Sequence, residues 1–74
     1  MPIHAIYTKD GTIFHARRCA DTDDPSFWLA AEDGHRFGTI RFVDDNRRTE
    51  CHFDLLVLPR YVEEIVQYLL DRAF

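Results

Sequence analysis

Four histidines and two cysteines are the residues of this chain suited to metal ligation or nucleophilic chemistry. His15 and Cys19 stand four apart in a segment that reads as a strand, so they share one face. Cys51 and His52 are adjacent. Neighbouring strand residues point to opposite faces, so these two meet one ion only across a bulge. Zinc normally takes its ligands in close-spaced pairs presented by a tight turn, and neither cysteine has a CxxC partner. There is no GxSxG, HExxH or phosphate-loop motif. The expectation is a protein that is not an enzyme and uses no metal and no cofactor.

A second constellation is aromatic and cationic. Arg17, Trp28, Phe37, Arg41 and His52, with His4, His15 and Thr39, fall on one face of the strands laid out below. Tryptophan and arginine together serve protein contacts, where both are enriched at energetic centres. They also serve single-stranded nucleic acid, by stacking bases and neutralising phosphates. Glu50 and Asp54 on the same face repel phosphate, and the net charge of −4 opposes a whole-domain affinity for it. Contact with another protein is therefore the first reading, with Trp28, Phe37, Arg41, His52 and Arg17 as the partner-binding set. Single-stranded nucleic acid is the second. The acidic stretches 21–24, 32–33 and 44–45 supply a third, in which a small acidic inhibitor mimics phosphates before a nucleic-acid-handling complex. Aspartate is also simply a common turn residue.

These side chains need a scaffold, and 74 residues suffice for one domain near the lower size limit of a self-sufficient core. The 46% hydrophobic content and the aromatic share of 14% mark a globular chain. Residues 3–8 and 12–19 are β-rich runs around Asp10-Gly11, a strong hairpin signal. A two-residue turn there sets Tyr7 opposite Phe14 and Ala5 opposite Ala16, with Ile3, Ala5 and Tyr7 turned to the core. Residues 20–26 form a polar loop. Asp33-Gly34 joins residues 27–31 to residues 36–43, with Phe27 opposite Ile40, Trp28 opposite Thr39 and Leu29 opposite Gly38. A turn centred on Asn46-Arg47 then places Phe42 opposite Cys51 and Arg41 beside His52. Cys51, Phe53, Leu55 and Val57 alternate as one buried strand face, with both cysteines reduced and buried. The predicted fold is α+β: a five-stranded antiparallel meander with one C-terminal helix packed on one face.

That helix is expected over residues 59–73. Pro59 suits its first turn, and Leu58 occupies the cap position where a polar side chain usually sits. Its apolar residues span an arc of about 200°, wider than the stripe of roughly 100° that one sheet face requires. Val62, Ile65, Val66 and Leu69 are assigned to the sheet. Tyr61, Tyr68, Leu70 and Phe74 remain at the edges, and a homodimer through these four is expected to cover them. A sheet strand ending in LxLP before a helix, as in the stretch LVLPRYVEEIVQYLL from Leu56 to Leu70, resembles the single-stranded-DNA-binding transcriptional coactivator domains. The resemblance implies the curved sheet with its C-terminal helix and adds weight to nucleic acid; it carries over no site residue. No stretch reads as a signal peptide or a membrane span, so a cytoplasmic location is expected.

Overall fold

The computed structural model describes residues 3–20 and 22–74. Asp21, the first member of one acidic run, lies outside the described residues, as do Met1 and Pro2. Five strands, β1 (Ile3–Tyr7), β2 (Ile13–Arg18), β3 (Ser26–Ala31), β4 (Arg36–Val43) and β5 (Arg48–Phe53), are followed by one helix, α1 (Pro59–Arg72). They form a single antiparallel sheet in the order β1-β2-β3-β4-β5. Ile6, Phe14, Ala16, Phe27, Leu29, Ile40 and Phe42 bury one face of it beneath Ile65 and Leu69 of α1. Each large apolar side chain buried in this way contributes about 1.5–3 kcal/mol.

The turns set the registers, and the first overturns an expectation. Thr8 N–H donates to the Thr12 carbonyl at 2.9 Å, and Gly11 N–H donates to the Thr8 carbonyl at 3.0 Å. The loop is therefore three residues, Lys9-Asp10-Gly11, with Gly11 at φ 87°, where a side chain would be strained. Ile6 accordingly pairs with Phe14 and Tyr7 with Ile13. A slip of one residue turns the whole strand over. Ile6 and His4 face the helix, whereas Ile3 and Tyr7 are 59% and 71% exposed on the opposite side.

The same loop recurs at Glu32-Asp33-Gly34, where Ala31 N–H donates to the His35 carbonyl at 2.7 Å. Here the expected register survives: Phe27 pairs with Ile40, Trp28 with Thr39 and Leu29 with Gly38. A bulge restores it, because Ala30 pairs with Arg36 and Phe37 is the extra residue between them. Its ring consequently lies with the core, 5.7 Å from that of Phe14, not on the open face beside Trp28.

At the third turn Asp45 and Asn46 both have positive φ, 59° and 68°, and Arg47 N–H donates to the Asp44 carbonyl at 3.2 Å. The turn is centred one residue earlier than expected, which slides the pairing by two and preserves the faces. Ile40 pairs with Cys51, Phe42 with Thr49, and Arg41 with Glu50 rather than His52.

Strand β5 stops at Phe53, short of Val57. Beyond Gly38, β4 follows its bulge away, and Asp54 N–H makes a final bond to the Phe37 carbonyl at 2.8 Å. Val57 is buried, but Leu55 and Leu56 are exposed. Leu58 caps α1 without a side-chain hydrogen bond, as its apolar side chain requires, and Pro59 occupies the first turn. Cys19 and Cys51 are free thiols. Cys51, opposite Ile40 on the helix side, is exposed rather than buried, because the helix does not roof the β5 margin. No helix among the described residues is long and apolar enough to cross a membrane.

Candidate interaction surface

The sheet face opposite the helix carries the polar and aromatic residues. Alternation from the buried Phe14, Ala16, Phe27, Leu29, Ile40 and Phe42 turns His15, Arg17, Trp28, Thr39 and Arg41 outward, with His52 paired to Thr39. Of the five residues expected to bind a partner, Arg17, Trp28, Arg41 and His52 share this surface. Phe37 does not, having been turned inward by the bulge. His4 is also on the other side, its ring edge-on to Tyr68 at 6.0 Å.

Trp28 divides the surface. On one side lies an open hollow of about 790 Å³ lined by Ile3, Arg17, Ser26, Thr39, Arg41 and His52, among others. On the other is a smaller one of about 190 Å³ that reaches His15, Ala30 and Arg36. The Arg36 guanidinium sits 4.8 Å from the indole centroid, a cation–π contact. Arg36 had no assigned role in the sequence. Its place follows from the bulge, which pairs it with the outward Ala30. The small Gly38 beside an aromatic was the available signal.

The electrostatics of the face separate its three arginines. Arg41 is engaged: its Nε donates to Glu50 Oε1 at 3.1 Å, its Nη2 contacts the same oxygen, and Asp24 lies 3.9 Å away. The Glu50 hydrogen bond and charge raise the Arg41 pKa, and Arg41 in turn holds Glu50 below the usual carboxylate range. The pair is effectively neutral. Among the described residues, Arg17 and Arg36 make no ion pair. Two uncompensated cations therefore flank Trp28 in a chain of net charge −4.

The four helix-edge residues are largely spent within the chain. The Tyr61 hydroxyl donates to Asp10 Oδ2 at 2.5 Å, and its ring lies 5.3 Å from Phe14. Tyr68 packs on His4, and Leu70 is half-buried against the core. Phe74 stands edge-on to Phe42 at 5.0 Å but keeps 49% of its surface exposed. Both edges of α1 wrap the sheet rim, which absorbs most of the wide apolar arc.

Asp10 is a clasp that the sequence did not announce. Besides Tyr61, it accepts from the Thr8 hydroxyl at 2.7 Å and from Thr12 N–H at 3.0 Å. These bonds, Tyr61 first, hold its pKa far below the usual carboxylate value. The arrangement fixes the first hairpin to the start of α1. No group of three or more His, Cys, Asp or Glu side chains placed to hold a metal occurs among the described residues. No family model, curated protein or solved structure matches this chain.

Proposed function

We propose that this protein is a non-enzymatic binding module whose bare sheet face docks an acidic segment of another protein. The observation that supports this most is the placement of Arg17 and Arg36, exposed and without ion pairs among the described residues, on either side of Trp28. A partner carboxylate gains a bidentate arginine contact there, and an apolar side chain gains the indole and the adjoining hollow. Single-stranded nucleic acid is the weaker reading. Phe37 is withdrawn from the face, and Arg36 already covers one side of the indole, leaving little stacking surface. Phosphate mimicry by the acidic turns is weaker still, since Glu32-Asp33 and Asp44-Asp45 lie at opposite ends of β4. Free thiols at Cys19 and Cys51 suit the reducing cytoplasm, where we place the module. Self-association belongs to the same reading.

Trp28 is the sole tryptophan, so its emission reports on the face directly. Titration with a glutamate-rich peptide is expected to change that emission, more strongly at low salt, and Arg17→Glu with Arg36→Glu to abolish the change. An unaltered emission with the peptide contradicts the reading. A response to a single-stranded oligonucleotide alone moves it to nucleic acid.

A further inference from the structure

Strand β1 forms one margin of the sheet. Thr8 directs both its backbone groups to β2, through its bonds with Thr12 and Gly11. Alternation along the antiparallel pair gives His4 and Ile6 the same inward direction and turns the N–H and C=O of Ile3, Ala5 and Tyr7 outward. The next outward N–H, that of Lys9, is already met by the Glu64 carboxylate of α1 at 2.8 Å. Among the described residues, the free part of the edge is therefore Ile3, Ala5 and Tyr7, and α1 closes its end.

Exposed edges are normally guarded by charge. The opposite margin, β5, follows that rule with Arg48 and Glu50. Strand β1, IHAIY, has no Asp, Glu, Lys or Arg. Its outward side chains Ile3 and Tyr7 are among the most exposed apolar residues of the chain.

We propose that β1 pairs with β1 of a second copy of this chain, antiparallel about a two-fold axis at Ala5. The strand is self-complementary in that register. Ile3 lies opposite Tyr7 of the second copy, and the small Ala5 sits on the axis, where a side chain meets its own image. Ile3 and Tyr7 make a β-branched-on-aromatic pair twice over, of the kind that stabilises antiparallel sheets. Each of the three residue pairs exchanges two backbone hydrogen bonds. No like charges meet along the strand, which is what a copy offers and an arbitrary charged strand does not. The two sheets become one, and because Ile3 borders both hollows around Trp28, the axis brings two such surfaces side by side. This pairing does not depend on what the open face binds.

Sedimentation and backbone amide exchange, run from low to high micromolar concentration on the whole chain, test it. The expected result is a mass that rises to twice 8.8 kDa, with exchange at Ile3, Ala5 and Tyr7 slowing in step. Ile3→Lys with Tyr7→Lys is expected to leave a folded monomer, its far-ultraviolet dichroism unchanged. If that variant does not fold, the chain carrying N-methyl-Ala5, made by ligation, removes one outward donor without altering a side chain and is expected to associate more weakly. A folded monomer at the highest concentration overturns the proposal, as does a dimer in which those three amides exchange at the monomer's rate. Dissociation by Leu70→Glu but not by the two lysines places the contact on α1 and also overturns it. Protection of β1 only when an added peptide is present assigns the edge to a foreign strand.

Discussion

Gly38→Ala measures how tightly β4 and β5 are sutured behind the candidate surface. A β-carbon at this position would lie 2.0 Å from the His52 carbonyl oxygen and 2.8 Å from the Phe53 α-carbon. Ordinary contact begins near 3.4 Å, so the strands would have to part by about 1.4 Å, the difference between 3.4 and 2.0 Å. A ladder hydrogen bond of about 2.9 Å does not survive that displacement. Losing the two bonds around the Gly38–Phe53 pair costs about 1 kcal/mol each. Holding alanine at φ 149° adds about 1–3 kcal/mol of backbone strain. The sum is about 4 kcal/mol, against a total of roughly 4–11 kcal/mol for a domain of this length. Urea unfolding followed by Trp28 emission and far-ultraviolet dichroism reads the loss. Gly34→Ala is the control: it also has positive φ, but no atom lies within 4 Å of its β-carbon, so about 1 kcal/mol is expected. Equal losses for the two variants, or a loss below about 1 kcal/mol for Gly38→Ala, would refute the close-approach argument.

The Asp10 clasp predicts a pH dependence with a definite sign. Its folded pKa is depressed, so its contribution is complete above the unfolded value of about 3.9 and is lost as pH falls toward the folded one. Tyr61→Phe is expected to flatten the decline of the melting temperature in that acid range; parallel curves for parent and variant contradict it. Alkylation of the denatured, unreduced protein is expected to add two labels, at Cys19 and Cys51, whereas an unlabelled chain two hydrogens lighter would show a disulfide.

The meander and its helix were legible because hydrophobic alternation and turn residues locate elements well. Loop length was not. Asp10-Gly11 marks the place of a turn but does not say whether two or three residues bridge it, and that single residue inverted β1. The identical loop at Asp33-Gly34 left most of β4 in its expected register only because Phe37 bulges out of the ladder. The third turn erred by two, which leaves side chains on their faces, so Arg41 and His52 stayed outward while exchanging neighbours. The open face was accordingly readable at Arg17, Trp28, Arg41 and His52, misread at His4 and Phe37, and left without a reading at Arg36. The helix-edge surface was less legible for another reason: an apolar arc shows how much surface needs cover, not how far the sheet rim reaches round it. Tyr61 and Tyr68 found that cover on Phe14 and His4.

The claim that the bare face of the sheet is the binding surface is tested most directly by mapping amide chemical shifts during titration with a glutamate-rich peptide. The account predicts saturable changes at Arg17, Trp28, Arg36 and Thr39, absent with a lysine-rich peptide and suppressed by salt. Changes confined to α1 or to the acidic turns, or equal changes with both peptides, would contradict it.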